Sequence, residues 1–152
     1  MEWKEPPEMD TGAPLPEIYE NGKTLLCSYI CSNPDFPGWG KGAPTDHKGF
    51  QEYCAVIEFN EVSRFKYGAP TDEALGYHPL YKLGVGFYGF YILDKSPELK
   101  LETGCKLWVA TFHDETLQVA CKSARVLSHR IDVSAPAEAL KTILKTARHL
   151  DN

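Results

Sequence analysis

The chain has 152 residues, 43% hydrophobic and 24% charged, with a formal net charge of -5. That length suits one domain, long enough to bury its core without a disulfide or a metal. The acidic balance, with Lys95, Lys100 and Lys106 dispersed among acids, argues against nucleic acid or an anionic membrane as a main partner.

The opening MEWKEPPEMD is acidic and proline-rich and has no apolar core segment, so it does not read as a secretory signal. Residues 1–22 contain Pro6, Pro7, Pro14 and Pro16, which disfavour helix and central strand. They predict an extended arm that packs Trp3 or Tyr19 onto a domain spanning 23–152. Five cysteines, an odd number with no CxxC pair, read as reduced thiols of a cytoplasmic protein.

Asn21-Gly22 is a turn pair, and KTLLCSYIC at 23–31 after it predicts a strand. The stretch 32–50, with three prolines and four glycines, predicts a long loop carrying Trp39. EYCAVIEFN at 52–60 alternates as a strand, and VSRFKYG at 62–68 continues it or returns beside it. GAPTDEALGYHPLY at 68–81 predicts turns, with one short helical turn at 71–75. GAPTD also occurs at 42–46, and both copies read as turns closed by threonine or aspartate side chains.

GVGFYGFYIL at 84–93 is bulky on both faces and predicts a central strand or a barrel wall, with Gly84, Gly86 and Gly89 marking a bulge, a bend or a close backbone approach. The stretch is too short to span a bilayer as a helix. Ser96 is placed to cap a helical turn at 97–101. KLWVATF at 106–112 and LQVACK at 117–122 predict a hairpin, with a further short strand near Val126 and Leu127. Leu140, Ile143, Leu144 and Ala147 recur at helical spacing, with Ser134 as cap and Pro136 in the first turn. Strands followed by one helix predict an α+β fold: a mainly antiparallel, strongly curved β-sheet or partial barrel with one C-terminal helix.

Two segments carry candidate chemistry. The first holds Asp72, Glu73, His78 and Tyr81, and the second His113, Asp114 and Glu115. Extended geometry puts His113 and Glu115 on one face and Asp114 on the other. Such a pair can do acid–base work or hold a divalent ion, provided that Asp72 or His78 comes close. The simpler reading is two solvated turns.

The cysteines form no visible triad, and the glycine stretches at 38–43 and 84–89 fit neither nucleotide-binding pattern. Pro70-Thr71-Asp72-Glu73-Ala74, then His78-Pro79-Leu80-Tyr81, then Phe112-His113-Asp114-Glu115-Thr116 resemble a family of uncharacterised proteins. That family carries motifs of the kind P-N-D-E-A, G-H-P-L-Y and F-H-D-x-T-F-E. Thr71 stands in place of an asparagine, Tyr77 is inserted, and Leu117-Gln118 replaces phenylalanine and glutamate. The resemblance supplies no substrate and no mechanism, and it leaves the cofactor unknown.

The sequence thus predicts a module that binds a small molecule or a protein, with Trp39, Asp72, His78, Tyr81, His113 and Asp114 as its contact set. The alternative is a hydrolase or lyase using His78 and His113 with Asp72 or Asp114, with or without a metal. A third expectation is a protein partner at the 32–50 loop. The choice turns on whether the 68–81 and 113–116 segments meet.

Overall fold

A computed structural model describes residues 1–12, 15–32 and 52–150, the last four by their backbone alone. Six antiparallel strands form one sheet: β1 (Glu17–Asn21), β2 (Thr24–Ile30), β3 (Cys54–Gly68), β4 (Phe90–Leu93), β5 (Lys106–Thr111) and β6 (Thr116–Ile131). Their spatial order is β1-β2-β3-β6-β5-β4. Two helices, α1 (Pro79–Lys82) and α2 (Pro136–Leu150), complete the α+β fold. No helix among the described residues is long and apolar enough to cross a membrane.

The spine is the pairing of β3 with β6, strands of 15 and 16 residues. The two stretches 52–60 and 62–68 are one strand, as are 117–122 and the residues around Val126. The ladder shifts register at three places, Cys54/Val56, Val56/Ile57 and Val62/Arg64, the last beside Glu61 at φ 53°. Everything from residue 69 to 115 is an excursion between these two strands.

Alternation along the strands sorts the apolar residues into separate packing layers. On one face Leu25, Cys27, Tyr29, Ile57, Leu117 and Val119 build the main core, with Trp3 against it. Trp3 meets Trp108 edge-on at 4.9 Å. On the other face Leu26, Ile30 and Val56 pack under Leu140, Ile143 and Leu144 of α2. Glu138, Lys141, Thr142 and Lys145 of α2 are exposed, as the periodicity requires. The carbonyl of Ala135 receives the first helical bonds, so the cap falls one residue after Ser134 and Pro136 opens the helix.

A third cluster joins Leu75, Leu80 and Val85 of the excursion to Leu93, Leu107 and Val109 of β4 and β5. The buried thiols of Cys31, Cys54 and Cys121 are pushed up by burial to about 12, 11 and 12, so they stay protonated and act as small apolar residues.

Four expectations are corrected. The sheet is open, neither closed nor strongly curled. The barrel reading came from the 84–93 run, of which only Phe90–Leu93 is strand, and β4 lies at an edge. Residues 84–89 leave the β region at Gly84 (φ 98°) and Tyr88 (φ 54°), and so form a loop. A Cβ on Gly89 would meet the Tyr91 hydroxyl at 3.0 Å and its ring at 3.2–3.3 Å, which is the close approach this glycine permits. The helix is not the only one, because Leu75–Tyr77 forms a 3-10 turn leading into α1. At 97–101 there is no helical turn, although Ser96 does accept the Leu99 amide at 2.8 Å.

Glu98 ties this excursion to the spine. Its carboxylate accepts from Lys66 and His78, and from the buried Gln118 amide at 3.4 Å. Partial burial pushes its carboxyl up, but these three donors outweigh that and hold it below the usual glutamate range. The contribution to stability is therefore complete above the ordinary glutamate value, about 4.3, and is lost as pH falls through the lower folded value. Urea midpoints are expected to fall less in Glu98→Gln than in wild type between about pH 6 and about pH 3. Equal falls in the two proteins would remove Glu98 from the acid response.

Candidate functional site

The second GAPTD copy closes as its composition requires. The Ala74 amide donates to Thr71 Oγ1 at 3.3 Å, and the Glu73 amide to Asp72 Oδ1 at 3.0 Å. Thr116, at the start of β6, donates its hydroxyl to the Pro70 carbonyl at 2.8 Å in a buried contact. This bond pins the 69–72 segment against the turn end of the β5–β6 hairpin. His113 and Asp114 sit at the tip of that same hairpin, which the Phe112 amide closes onto the Glu115 carbonyl. The 68–81 and 113–116 segments therefore meet.

Asp72 Oδ2 lies 3.1 Å from His113 Nδ1, and Asp114 Oδ1 lies 3.7 Å from His113 Nε2. Asp114, rather than Glu115, stands with the imidazole. Its backbone is left-handed at φ 62°, so the extended alternation breaks there and its carboxylate returns to the histidine side. Asparagine and aspartate tolerate that conformation best among residues with a side chain.

Tyr88 completes the group and was not legible as a site residue. Its hydroxyl donates to Asp72 Oδ2 at 2.7 Å, and its ring lies nearly parallel to that of His113. That hydrogen bond is the chief reason the Asp72 carboxyl falls below the usual aspartate range, with the His113 ring and the Glu73 amide adding to it. Bonding to Asp72 and the nearby acids push the Tyr88 phenol up in turn. Phe87 and Tyr81 continue the aromatic row, with ring centroids 6.4 Å and 6.2 Å apart along it. Tyr81, Phe87 and Tyr88 are 49%, 48% and 36% exposed.

The loop that presents Tyr88 hangs on Thr111. This buried hydroxyl accepts from the Gly89 amide at 3.0 Å and donates to the Gly86 carbonyl at 2.8 Å. Beside Tyr88 runs a groove of about 550 Å³, whose lining includes Glu2, Trp3, Lys4, Glu8 and Phe90. The local signal for Tyr88 is its place between Gly86 and Gly89, a spacing that suits a loop as well as a bulged strand.

His78 belongs to a different network. Its Nδ1 accepts from the Leu80 amide at 3.1 Å and caps α1, while Nε2 faces Glu98. Both ring nitrogens are engaged, and none of its recorded partners is Asp72, His113 or Asp114. Trp39 and the rest of the 32–50 loop beyond Ser32 lie outside the described residues, as does the first GAPTD copy.

Comparison with known proteins gave no matching family model, no matching curated protein and no matching solved structure. The family resemblance accordingly rests on its three motifs, two of which supply Asp72, His113 and Asp114 to this cluster.

Proposed function

We propose that the chain is a binding module that takes a small ligand at Asp72, Tyr88 and His113, with Tyr81 and Phe87 as an apolar ledge. The observation that carries this reading is the backbone of Tyr88. A bulky residue at φ 54° costs on the order of 1–3 kcal/mol, and such strain concentrates at functional sites. Here the strained conformation places a half-exposed aromatic ring against an imidazole and a carboxylate. Aromatic area with a few convergent polar groups is the usual make-up of a small-molecule site.

The test is a nuclear magnetic resonance screen of 15N-labelled protein with a panel of small carboxylic acids, amines and nucleosides. Shifts are expected to converge on residues 72, 86–89 and 111–114. Tyr88→Ala is expected to weaken the best hit about tenfold, or ~1.4 kcal/mol, in line with loss of an aromatic contact. Shifts scattered over the surface, or indifferent to Tyr88→Ala, would sink the reading.

A hydrolase or lyase is the second reading, and one distance favours it. Asp72 at 3.1 Å from His113 Nδ1 is placed to orient the ring as a general base. With both nitrogens of His78 occupied, that reading uses His113, Asp72 and Asp114 and leaves His78 as a positioning residue for α1.

A further inference from the structure

We propose that Asp72, His113 and Asp114 bind one divalent transition-metal ion of the zinc or manganese kind. The proposal rests on the ligand-site reading above and names what would anchor a ligand there. Each of the three residues offers one donor atom, and all three atoms lie within 4.8 Å of one another. Donors bound at about 2.0–2.2 Å from a shared ion can be no more than about 4.4 Å apart. The Asp72–His113 separation of 3.1 Å already satisfies that limit. Asp114 is 66% exposed and free to change rotamer, so the third donor can close the remaining few tenths of an ångström.

Charge gives a separate argument. Among the described residues, the ion pairs of Asp72 and Asp114 are both with His113, and neither pairs with a lysine or arginine. The two carboxylates flank one imidazole, Asp72 at Nδ1 and Asp114 nearest Nε2, and a dication at Nδ1 would draw the exposed Asp114 in and neutralise both. The donor set also selects the ion. One imidazole nitrogen with two carboxylates suits zinc, manganese or cobalt, whereas calcium and magnesium favour all-oxygen shells.

The surroundings are those of a supported ligand set. Asp72 is held by the Glu73 amide at Oδ1 and by the Tyr88 hydroxyl at Oδ2, and its side chain is only 13% exposed. His113 would offer Nδ1, the nitrogen facing Asp72, to the ion. Three protein donors leave at least one position open on the ion, for water or for a carboxylate or phosphate oxygen of a ligand.

The 152-residue chain, stripped with a chelator, is titrated by calorimetry with zinc, manganese and calcium chlorides. One zinc or manganese ion per chain is expected, with calcium at least about tenfold weaker. Asp72→Asn and His113→Ala are each expected to weaken zinc binding by about 10–100-fold or more, the range seen when even an outer-shell partner is lost. His129→Ala, an exposed histidine near the far end of β6, is expected to bind as wild type does. Circular dichroism on each variant separates lost binding from lost fold, and Asp114→Asn is a third variant at an exposed turn. No saturable binding, or binding that survives both Asp72→Asn and His113→Ala, overturns the metal. If organic ligands still shift residues 86–89 in that case, the ligand site stands without the ion. If zinc binds with no organic hit, the ligand reading fails alone.

Discussion

Replacing Leu80 by alanine is expected to lower the unfolding free energy by about 2–5 kcal/mol. Leu80 is fully buried and packs in one cluster with Leu75 and Val85 from its own segment and Leu93, Leu107 and Val109 from the sheet. That cluster is the apolar seam joining the excursion to β4 and β5. The neighbouring polar contact of Glu98 is partly exposed and substitutes for it poorly. Typical domains have about 5–15 kcal/mol in total, so this one change takes a large share. Urea denaturation read by circular dichroism measures it. A loss under about 1 kcal/mol would mean that the segment carrying Asp72 and Tyr81 is held by something other than this seam.

Thr111→Val is expected to cost about 1–3 kcal/mol, and to weaken ligand binding more than the size of the change suggests. Valine keeps the shape and removes the hydroxyl that joins the Gly89 amide to the Gly86 carbonyl. Two backbone groups in a tight loop are then left without this partner, and Tyr88 loses the frame that holds its left-handed conformation. Thr111→Ser restores the hydroxyl and is expected to recover most of the binding. The checks are thermal unfolding, and the Tyr88-dependent shifts in the small-molecule screen. If valine leaves those shifts unchanged, the loop is ordered by its own backbone and Thr111 is only a core residue.

The strand β2 is legible because alternation survives in sequence. Leu25, Cys27 and Tyr29 face one core while Leu26 and Ile30 face the other, as period two requires. The run at 84–93 was misread because bulk on both faces looks the same in a central strand and in an aromatic loop. What separates them is Thr111, more than twenty residues away, whose bonds to Gly86 and Gly89 no local pattern announces. Asp72, His113 and Asp114 stood out as polar groups among turn formers, but the partner of His113 came out wrong for a local reason. Extended geometry selected Glu115, and a single left-handed residue substituted Asp114. His78 showed the opposite difficulty. A histidine before proline reads equally as a ligand or as a cap, and only the amide of Leu80 and the carboxylate of Glu98 show the second.

The first residues of the chain, described above only as packing Trp3, also decide how this sheet can meet other chains. The Ile92 amide donates to the Met1 carbonyl and the Trp3 amide to the Phe90 carbonyl, both at 2.8 Å. The outward backbone groups of β4 are thus already taken up along this margin. The opposite margin, β1, is five residues long and exposes Glu17 and Glu20. Short, charged margins resist strand addition. At these two margins a partner peptide therefore finds little free backbone to extend. Exposed side chains, such as the aromatic and ionisable row from Tyr81 to His113, are the features these margins leave open to a partner.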